Sequence, residues 1–301
     1  MEQAGQDALA ESLAPAVRRS VPLAEFTAIR VGGPADLLIV VNSVDELIGA
    51  VSEARRHGVA YRVLGGGCNV LVADEGVRGL VIINRASAIS CEDRSVTAES
   101  GAGLSALARR TVDCGLAGME WASGLPGTVG GAIVGNAGAF GGDVGETLRS
   151  ALILEHGRDT VERDNEWFDF EYRGSRLKCE AGTDRVLLSA TFDLEPGEKD
   201  RLQARSEEVL RRRRARQPSG PTLGSTFKNP RDRYAGRLIE LAALKGYQVG
   251  GARVSEKHAN FILNTGDASA QDVMALIRHI QLEVDRQFGV KLVLEIELLG
   301  W

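Results

Sequence analysis

Residues 124–142 hold eight glycines and one proline, as Gly124-Leu125-Pro126-Gly127-Thr128-Val129-Gly130-Gly131-Ala132 followed by Gly135-Asn136-Ala137-Gly138-Ala139-Phe140-Gly141-Gly142. Inside a regular element each glycine costs about 0.5–1 kcal/mol relative to alanine, so this stretch reads as neither an ordinary helix nor an ordinary strand. Its chemistry lies in the backbone. Bare amide N–H groups approach a ligand closely and attract anions, which makes a phosphate-bearing cofactor the expected occupant. A second turn, Gly65-Gly66-Gly67-Cys68-Asn69, follows the short apolar run Tyr61–Leu64. Position 70 is Val70, where G-x-G-x-x-G needs glycine, and the chain has no Gly-Lys pair, so neither a Rossmann nor a P-loop site is expected. Either loop alone is equally a tight turn. Two of them, each beside a strand-like run, favour a ligand.

Composition narrows the classes. The chain has 301 residues, 44% of them hydrophobic, enough for two or three domains with real cores. Its 36 glycines exceed the roughly 21 of an average composition, so loops and backbone contacts are over-represented. A net charge of −5 argues against nucleic acid as a partner. The basic cluster Arg211–Arg214 reads first as the solvated end of a helix, where cations favour the dipole. Cys68, Cys91, Cys114 and Cys179 are too far apart for C-x-x-C pairs and are expected as reduced thiols in a cytoplasmic protein. No apolar run approaches a membrane span, no signal peptide precedes the first unit, and no H-E-x-x-H pattern suggests a metal.

The elements that must position the loops follow from periodicity and caps. Residues 1–20 form an amphipathic lead-in. Ser43-Val44-Asp45-Glu46 has capping-box spacing and opens a helix to about His57, stopped by Gly58. Strands are expected at 61–64, 79–83, 95–99, 148–155, 167–172, 185–194, 259–264 and 291–299, with helices at 104–114, 199–216, 234–245 and 269–288. Two Gly-lined β-rich units, split near residue 90, lead into a C-terminal α+β unit.

In order along the chain stand Thr27-Ala28-Ile29-Arg30-Val31-Gly32-Gly33-Pro34-Ala35, the two Gly loops, Glu171-Tyr172-Arg173, Gly224-Ser225-Thr226-Phe227-Lys228-Asn229-Pro230, Ala235-Gly236-Arg237-Leu238-Ile239-Glu240 and Leu294-Glu295-Ile296-Glu297. This ordered set, spanning nearly all of residues 20–301, resembles the UDP-N-acetylenolpyruvoylglucosamine reductases, also called UDP-N-acetylmuramate dehydrogenases, the flavoenzymes of bacterial peptidoglycan synthesis.

The resemblance implies an α+β fold. A two-subdomain FAD-binding domain of the vanillyl-alcohol-oxidase (PCMH-like) type would span residues 20–197, and a substrate-binding domain residues 198–301. It implies non-covalent FAD, NADPH as hydride donor, UDP-N-acetylglucosamine enolpyruvate as substrate, and a cytoplasmic monomer. Ser225 is then the proton donor, with Arg173 and Glu295 engaging the developing enolate; Glu295 assists only as a hydrogen-bond donor, either protonated near the enolate or acting through a neighbour. Backbone amides of Gly65, Gly66, Gly67, Cys68, Asn69, Gly127, Gly130, Gly131 and Gly138, with the side chains of Asn69, Ser123, Thr128 and Asn136, are the FAD candidates. Lys228 and Asn229, joined by Arg213 or Arg216, are expected at the substrate diphosphate. Taken alone, Ser225 reads as a turn residue and Glu295 as a solvent-facing strand residue sharing a face with Val293 and Glu297. Two positions depart from the family: Cys68 stands where serine is common, bringing an expected sensitivity to oxidation, and Gly135 where a larger apolar residue often precedes Asn-Ala-Gly. The 174–224 segment is too short for the Tyr-bearing substrate loop, which places the chain in the subclass without it. Another flavin oxidase of the same fold and a non-catalytic nucleotide-binding protein are the alternatives.

Overall fold

The protein is described from a computed structural model covering residues 2–179 and 184–301. The chain forms two compact units that interleave in sequence. Unit 1 comprises residues 1–19, 37–66 and 79–213, and unit 2 comprises residues 20–36, 67–78 and 214–301. Unit 2 thus joins residues 20–36 and 67–78 to the C-terminal residues 214–301.

Unit 1 carries two hydrophobic cores. In the first, strand Tyr61–Leu64 runs parallel to strand Val77–Asn84, Tyr61 opposite Leu80 and Leu64 opposite Ile83. Helix Val44–Arg56 buries Leu47, Ala50, Val51 and Ala54 there, at the i, i+3, i+4, i+7 spacing of one helical face. Ser43 caps this helix by accepting from the Glu46 amide, and the Glu46 carboxylate in turn accepts from Asn42 N at 2.7 Å. The second core lies on an antiparallel sheet of five strands in the order Asp159–Asp164, Leu148–Glu155, Arg185–Asp193, Ser95–Glu99, Ile89–Glu92. Phe168, Phe192, Trp121, Leu107 and Ile153 fill it.

Three expectations fail in unit 1. The strand read at Trp167–Tyr172 is a short 3-10 turn at Glu166–Phe168, and the sheet takes the polar strand Asp159–Asp164 in its place. Aromatic content mimicked a strand, while the true edge strand has no apolar face. The Gly-rich stretch contains a helix, Val129–Val134, which buries Val129, Ala132 and Ile133; packing overrides propensity there. Cys91 and Cys114 are disulfide-bonded, so not all four cysteines are reduced thiols. Spacing along the chain tests only local pairs, whereas strand Ile89–Glu92 and the end of helix Leu104–Asp113 bring these two together across 23 residues.

Unit 2 is built on an antiparallel sheet in the order Thr222–Ser225, Phe261–Asn264, Ala252–Val254, Gln248–Val249. Helices Ala235–Leu241 and Ala270–Phe288 supply much of its core, including Leu238, Ile239, Val273, Leu276, Ile277, Ile280 and Val284. The longer helix begins with a full capping box between Ser269 and Asp272. Its first amides, Ala270 N and Gln271 N, donate to the Asp74 carboxylate at 2.8 and 3.0 Å, anchoring the 67–78 segment by charge at a helix N-terminus. The strand expected over 291–299 is shorter: Leu294 makes an isolated bridge, Glu295 and Ile296 form a bend, and Glu297–Leu299 runs parallel to Val70–Val72. Among the described residues no helix is long and apolar enough to cross a membrane.

Candidate functional site

In unit 1 the two Gly loops meet. A Cβ on Gly65 would stand 2.2 Å from Thr128 Oγ1, so only glycine allows this approach. Thr128 caps the helix Val129–Val134, its hydroxyl accepting from Gly131 N at 3.4 Å. Gly130 N donates to Ser100 O at 2.8 Å and Val129 N to Ala102 O, also at 2.8 Å, so these two amides are spent on the fold and do not face a ligand. Gly130 is a packing glycine, with its missing Cβ 3.0 Å from that same carbonyl. Gly127 is different. At φ +113 it has open space where a Cβ would be, leaving the backbone at Gly127–Thr128 as the approachable part of the loop. A bared backbone at the start of a turn, closed behind by Gly65, fits the pyrophosphate of a dinucleotide cofactor.

The rest of the Gly stretch supports an arginine. Asn136, 6% exposed, donates from Nδ2 to Glu171 O and accepts at Oδ1 from Gly145 N, both at 3.1 Å, so its side chain braces the segment before Arg173. Arg173 adopts φ +57 and donates to the carbonyls of Gly138 at 2.9 Å and Asn136 at 3.5 Å. Its guanidinium carbon lies 5.3 Å from the Tyr172 ring centroid. A non-glycine residue in the left-handed region carries local strain, and such positions concentrate at functional sites.

Arg213 corrects the reading of its cluster. Arg211, Arg212 and Arg214 are exposed, but Arg213 shares the buried face of helix Lys199–Arg216 with Leu202 and Val209 and is 5% exposed. It donates to Ser123 O at 2.9 Å and Trp121 O at 3.2 Å and lies over the Phe140 ring at 5.0 Å. Burial lowers its pKa to about 10. Ser123, also buried, thus meets Arg213 through its carbonyl. Arg216, at the helix end, is exposed.

In unit 2, Gly224 at φ +75 interrupts the pairing of strand Thr222–Ser225 with Phe261–Asn264, and the register shifts between Thr222 and Ser225. A bulge of this kind re-aims the next side chain, which here is Ser225. Thr226 and Phe227 beyond it are buried, and Thr226 N donates to Asn260 O at 2.8 Å. Glu295 is half-buried at its bend, with its amide donating to Thr226 O at 2.9 Å, so it is not a solvent-facing strand residue. Asn69 donates from Nδ2 to Glu295 O at 3.1 Å, a partnership 226 residues apart that no local pattern signals. Lys228 is half-buried, its amide donating to Val293 O at 2.9 Å. Asn229 is exposed and accepts from Ala235 N at 3.1 Å, helping to start the helix Ala235–Leu241. Gly67 takes φ +58, and a Cβ there would meet Phe26 O at 2.1 Å. Burial raises the pKa of the half-buried Cys68 thiol, which lowers its thiolate fraction and hence its reactivity toward oxidants.

Thr226 Oγ1 is buried and has no hydrogen-bond partner among the described residues. An unpaired buried hydroxyl costs about 1–3 kcal/mol, so the isosteric Thr226→Val should raise the melting temperature. A fall in the melting temperature would show that the hydroxyl has a partner.

A model of an FAD binding domain matches residues 35–156, the region that carries both Gly loops. The protein is an FAD-dependent oxidoreductase with an α+β fold. A second model, the C-terminal domain of UDP-N-acetylenolpyruvoylglucosamine reductase, matches residues 216–299. Reductases of that name from Caldanaerobacter subterraneus and Moorella thermoacetica are 41% and 45% identical to it, each over 93% of this chain and 92% of the relative. The crystal structure of the reductase from Thermus caldophilus superposes with a TM-score of 0.81 at 35% identity, covering 94% of this chain and all of that one. The chain belongs to the UDP-N-acetylenolpyruvoylglucosamine reductase family.

Proposed function

We propose that this protein reduces UDP-N-acetylenolpyruvoylglucosamine to UDP-N-acetylmuramate for peptidoglycan synthesis, with non-covalent FAD and with NADPH as hydride donor. It would act as a cytoplasmic monomer of the subclass without a Tyr-bearing substrate loop. The observation that carries this reading is identity of 41–45% to reductases of that name across nearly the whole chain. The Ser225 and Glu295 segments, joined main chain to main chain, support it.

Bound FAD would supply a two-electron carrier that takes hydride from NADPH and passes it to the terminal carbon of the enolpyruvyl ether. The remaining steps belong to side chains. Reduction of the double bond places negative charge beside the substrate carboxylate, and Ser225 Oγ gives its proton to that carbon. A serine hydroxyl is a weak acid, so it serves only when held against a strongly basic carbon; the bulge at Gly224 fixes its direction. Arg173, tethered to the Asn136 and Gly138 carbonyls, presents a preset cation to the growing charge. Glu295, protonated, donates a hydrogen bond to the enolate. Gly65, Gly66, Gly67, Cys68, Gly127, Thr128, Gly131 and Gly138 hold the cofactor. Lys228, the amide of Asn229 and exposed Arg216 bind the diphosphate. In this assignment residues 20–197 serve the flavin and 198–301 the substrate.

Purified protein should be yellow, and denaturation should release its flavin. Anaerobic NADPH should bleach it, and the enolpyruvyl nucleotide should restore the colour. A colourless preparation, or a reduced flavin that the nucleotide cannot reoxidise, overturns the reading.

A further inference from the structure

Two asparagines grip the backbone on either side of the Ser225 and Glu295 segments. Asn69 holds the Glu295 bend twice: its Nδ2 donates to Glu295 O at 3.1 Å, and its own carbonyl accepts from Glu297 N at 2.8 Å. From there Glu297–Leu299 continues in parallel with Val70–Val72. Ile296, between the two held residues, is 4% exposed and belongs to the core of unit 2. Asn260, also 4% exposed, holds the segment after Ser225 at three points. Its Oδ1 accepts from Phe227 N at 3.0 Å, its Nδ2 donates to Phe227 O at 2.8 Å, and its carbonyl accepts from Thr226 N at 2.8 Å. The two gripped segments then join directly, Glu295 N to Thr226 O and Lys228 N to Val293 O, each at 2.9 Å, around an isolated bridge between Phe227 and Leu294.

A single bridge is a weak ladder. Continuous strands fix register by repeated pairs, whereas here a single bridge, Phe227 with Leu294, joins the segments that carry Ser225 and Glu295, and side-chain amides supply further constraints. Both asparagines act through main-chain partners. Neither amide can be replaced by a carboxylate without placing an acceptor against a carbonyl, because Glu295 O and Phe227 O each receive a donated N–H.

We infer that Asn69 and Asn260 are positioning residues that fix Ser225 and Glu295 relative to one another, and that the Asn69 side chain serves this clasp and not the cofactor. The inference rests on the roles proposed above for Ser225 and Glu295.

The test uses the flavin-loaded protein and the variants Asn69→Ala, Asn69→Asp, Asn260→Asp and Ser225→Ala. Flavin dissociation constant, melting temperature, anaerobic reduction by NADPH and single-turnover reoxidation by the enolpyruvyl nucleotide are measured for each. Asn69→Ala should keep its flavin affinity and its NADPH reduction rate within about threefold of the parent. Its limiting reoxidation rate should fall by about 10²-fold, the scale expected when reacting groups are misplaced by an ångström, with little change in apparent nucleotide affinity. Asn69→Asp should be no better than alanine. Asn260→Asp should show the same split between half-reactions; should it prove insoluble, the Asn69 pair still decides. Flavin affinity that drops tenfold in Asn69→Ala, with reoxidation per bound flavin unchanged, would make Asn69 a cofactor ligand and overturn the inference. So would equal slowing of both half-reactions alongside a lower melting temperature, which marks a general structural role. Ser225→Ala separates the two levels: a slow Ser225→Ala beside a normal Asn69→Ala removes only the clasp, while a normal Ser225→Ala removes the acid assignment beneath it.

Discussion

Ser225→Ala should leave flavin reduction by NADPH almost unchanged while slowing reoxidation by the enolpyruvyl nucleotide by on the order of 10²–10⁴-fold, the usual contribution of a positioned proton donor. The asymmetry follows from chemistry. Hydride transfer from NADPH creates no carbanion, so the first half-reaction has no use for an acid; the second cannot finish without a proton on the carbon beside the carboxylate. Ser225→Cys keeps an acidic hydrogen at nearly the same place and should retain more activity than alanine. Thermal stability should move little in either variant, because Ser225 is half-buried at the end of its strand and outside the core of unit 2. Stopped-flow measurement of the two half-reactions decides the matter. Equal slowing of both would make Ser225 a structural residue at the bulge.

What the sequence reveals here depends on the range of the interactions involved. Helix Val44–Arg56 is legible because its evidence is local: Ser43 and Glu46 at the start, a regular apolar face and Gly58 at the end. Ser225 is legible as a turn-proximal residue because Gly224 precedes it, and the left-handed φ of that glycine is what makes the bulge. The helix Val129–Val134 is hidden because its glycines count against it. The structure supplies the reason for one of them, since Gly130 must approach the Ser100 carbonyl. Strand Asp159–Asp164 is hidden for a different reason: it lies at the edge of its sheet and its alternating side chains are half-buried at most. Composition and motif spacing miss the placements of Asn69 and Arg213. One pairs with a carbonyl 226 residues away and the other with carbonyls 90 and 92 residues away, and composition marks the first as a loop residue and the second as surface charge. Helical phase alone signalled the second, because Arg213 recurs on the face of Leu202 and Val209.

Glu295 is the residue for which the surface and catalytic readings differ most. A two-residue period would place it beside exposed Val293 and Glu297, yet the chain bends at Glu295 and Ile296, breaking that period and leaving Glu295 half-buried. Its main chain is fully committed, with the amide given to Thr226 O and the carbonyl to Asn69, so the backbone holds its course whatever side chain is present. Substitution therefore tests the carboxyl group itself. If the protonated carboxyl donates to the enolate, Glu295→Ala should lose about 10²–10³ in the rate of reoxidation, roughly 3–4 kcal/mol, the cost of removing one preorganised donor to developing negative charge. Glu295→Gln keeps an N–H donor at similar reach and should lose less. Glu295→Asp, shorter by one methylene, should resemble alanine. Flavin content and melting temperature should stay at parent values in all three, and NADPH reduction should be unaffected. Single-turnover reoxidation gives the answer: rates within two- or threefold of the parent for all three variants would leave Glu295 an ordinary carboxylate, and a glutamine variant as slow as alanine would show that the proton-bearing oxygen, more than donor ability alone, is what the reaction requires.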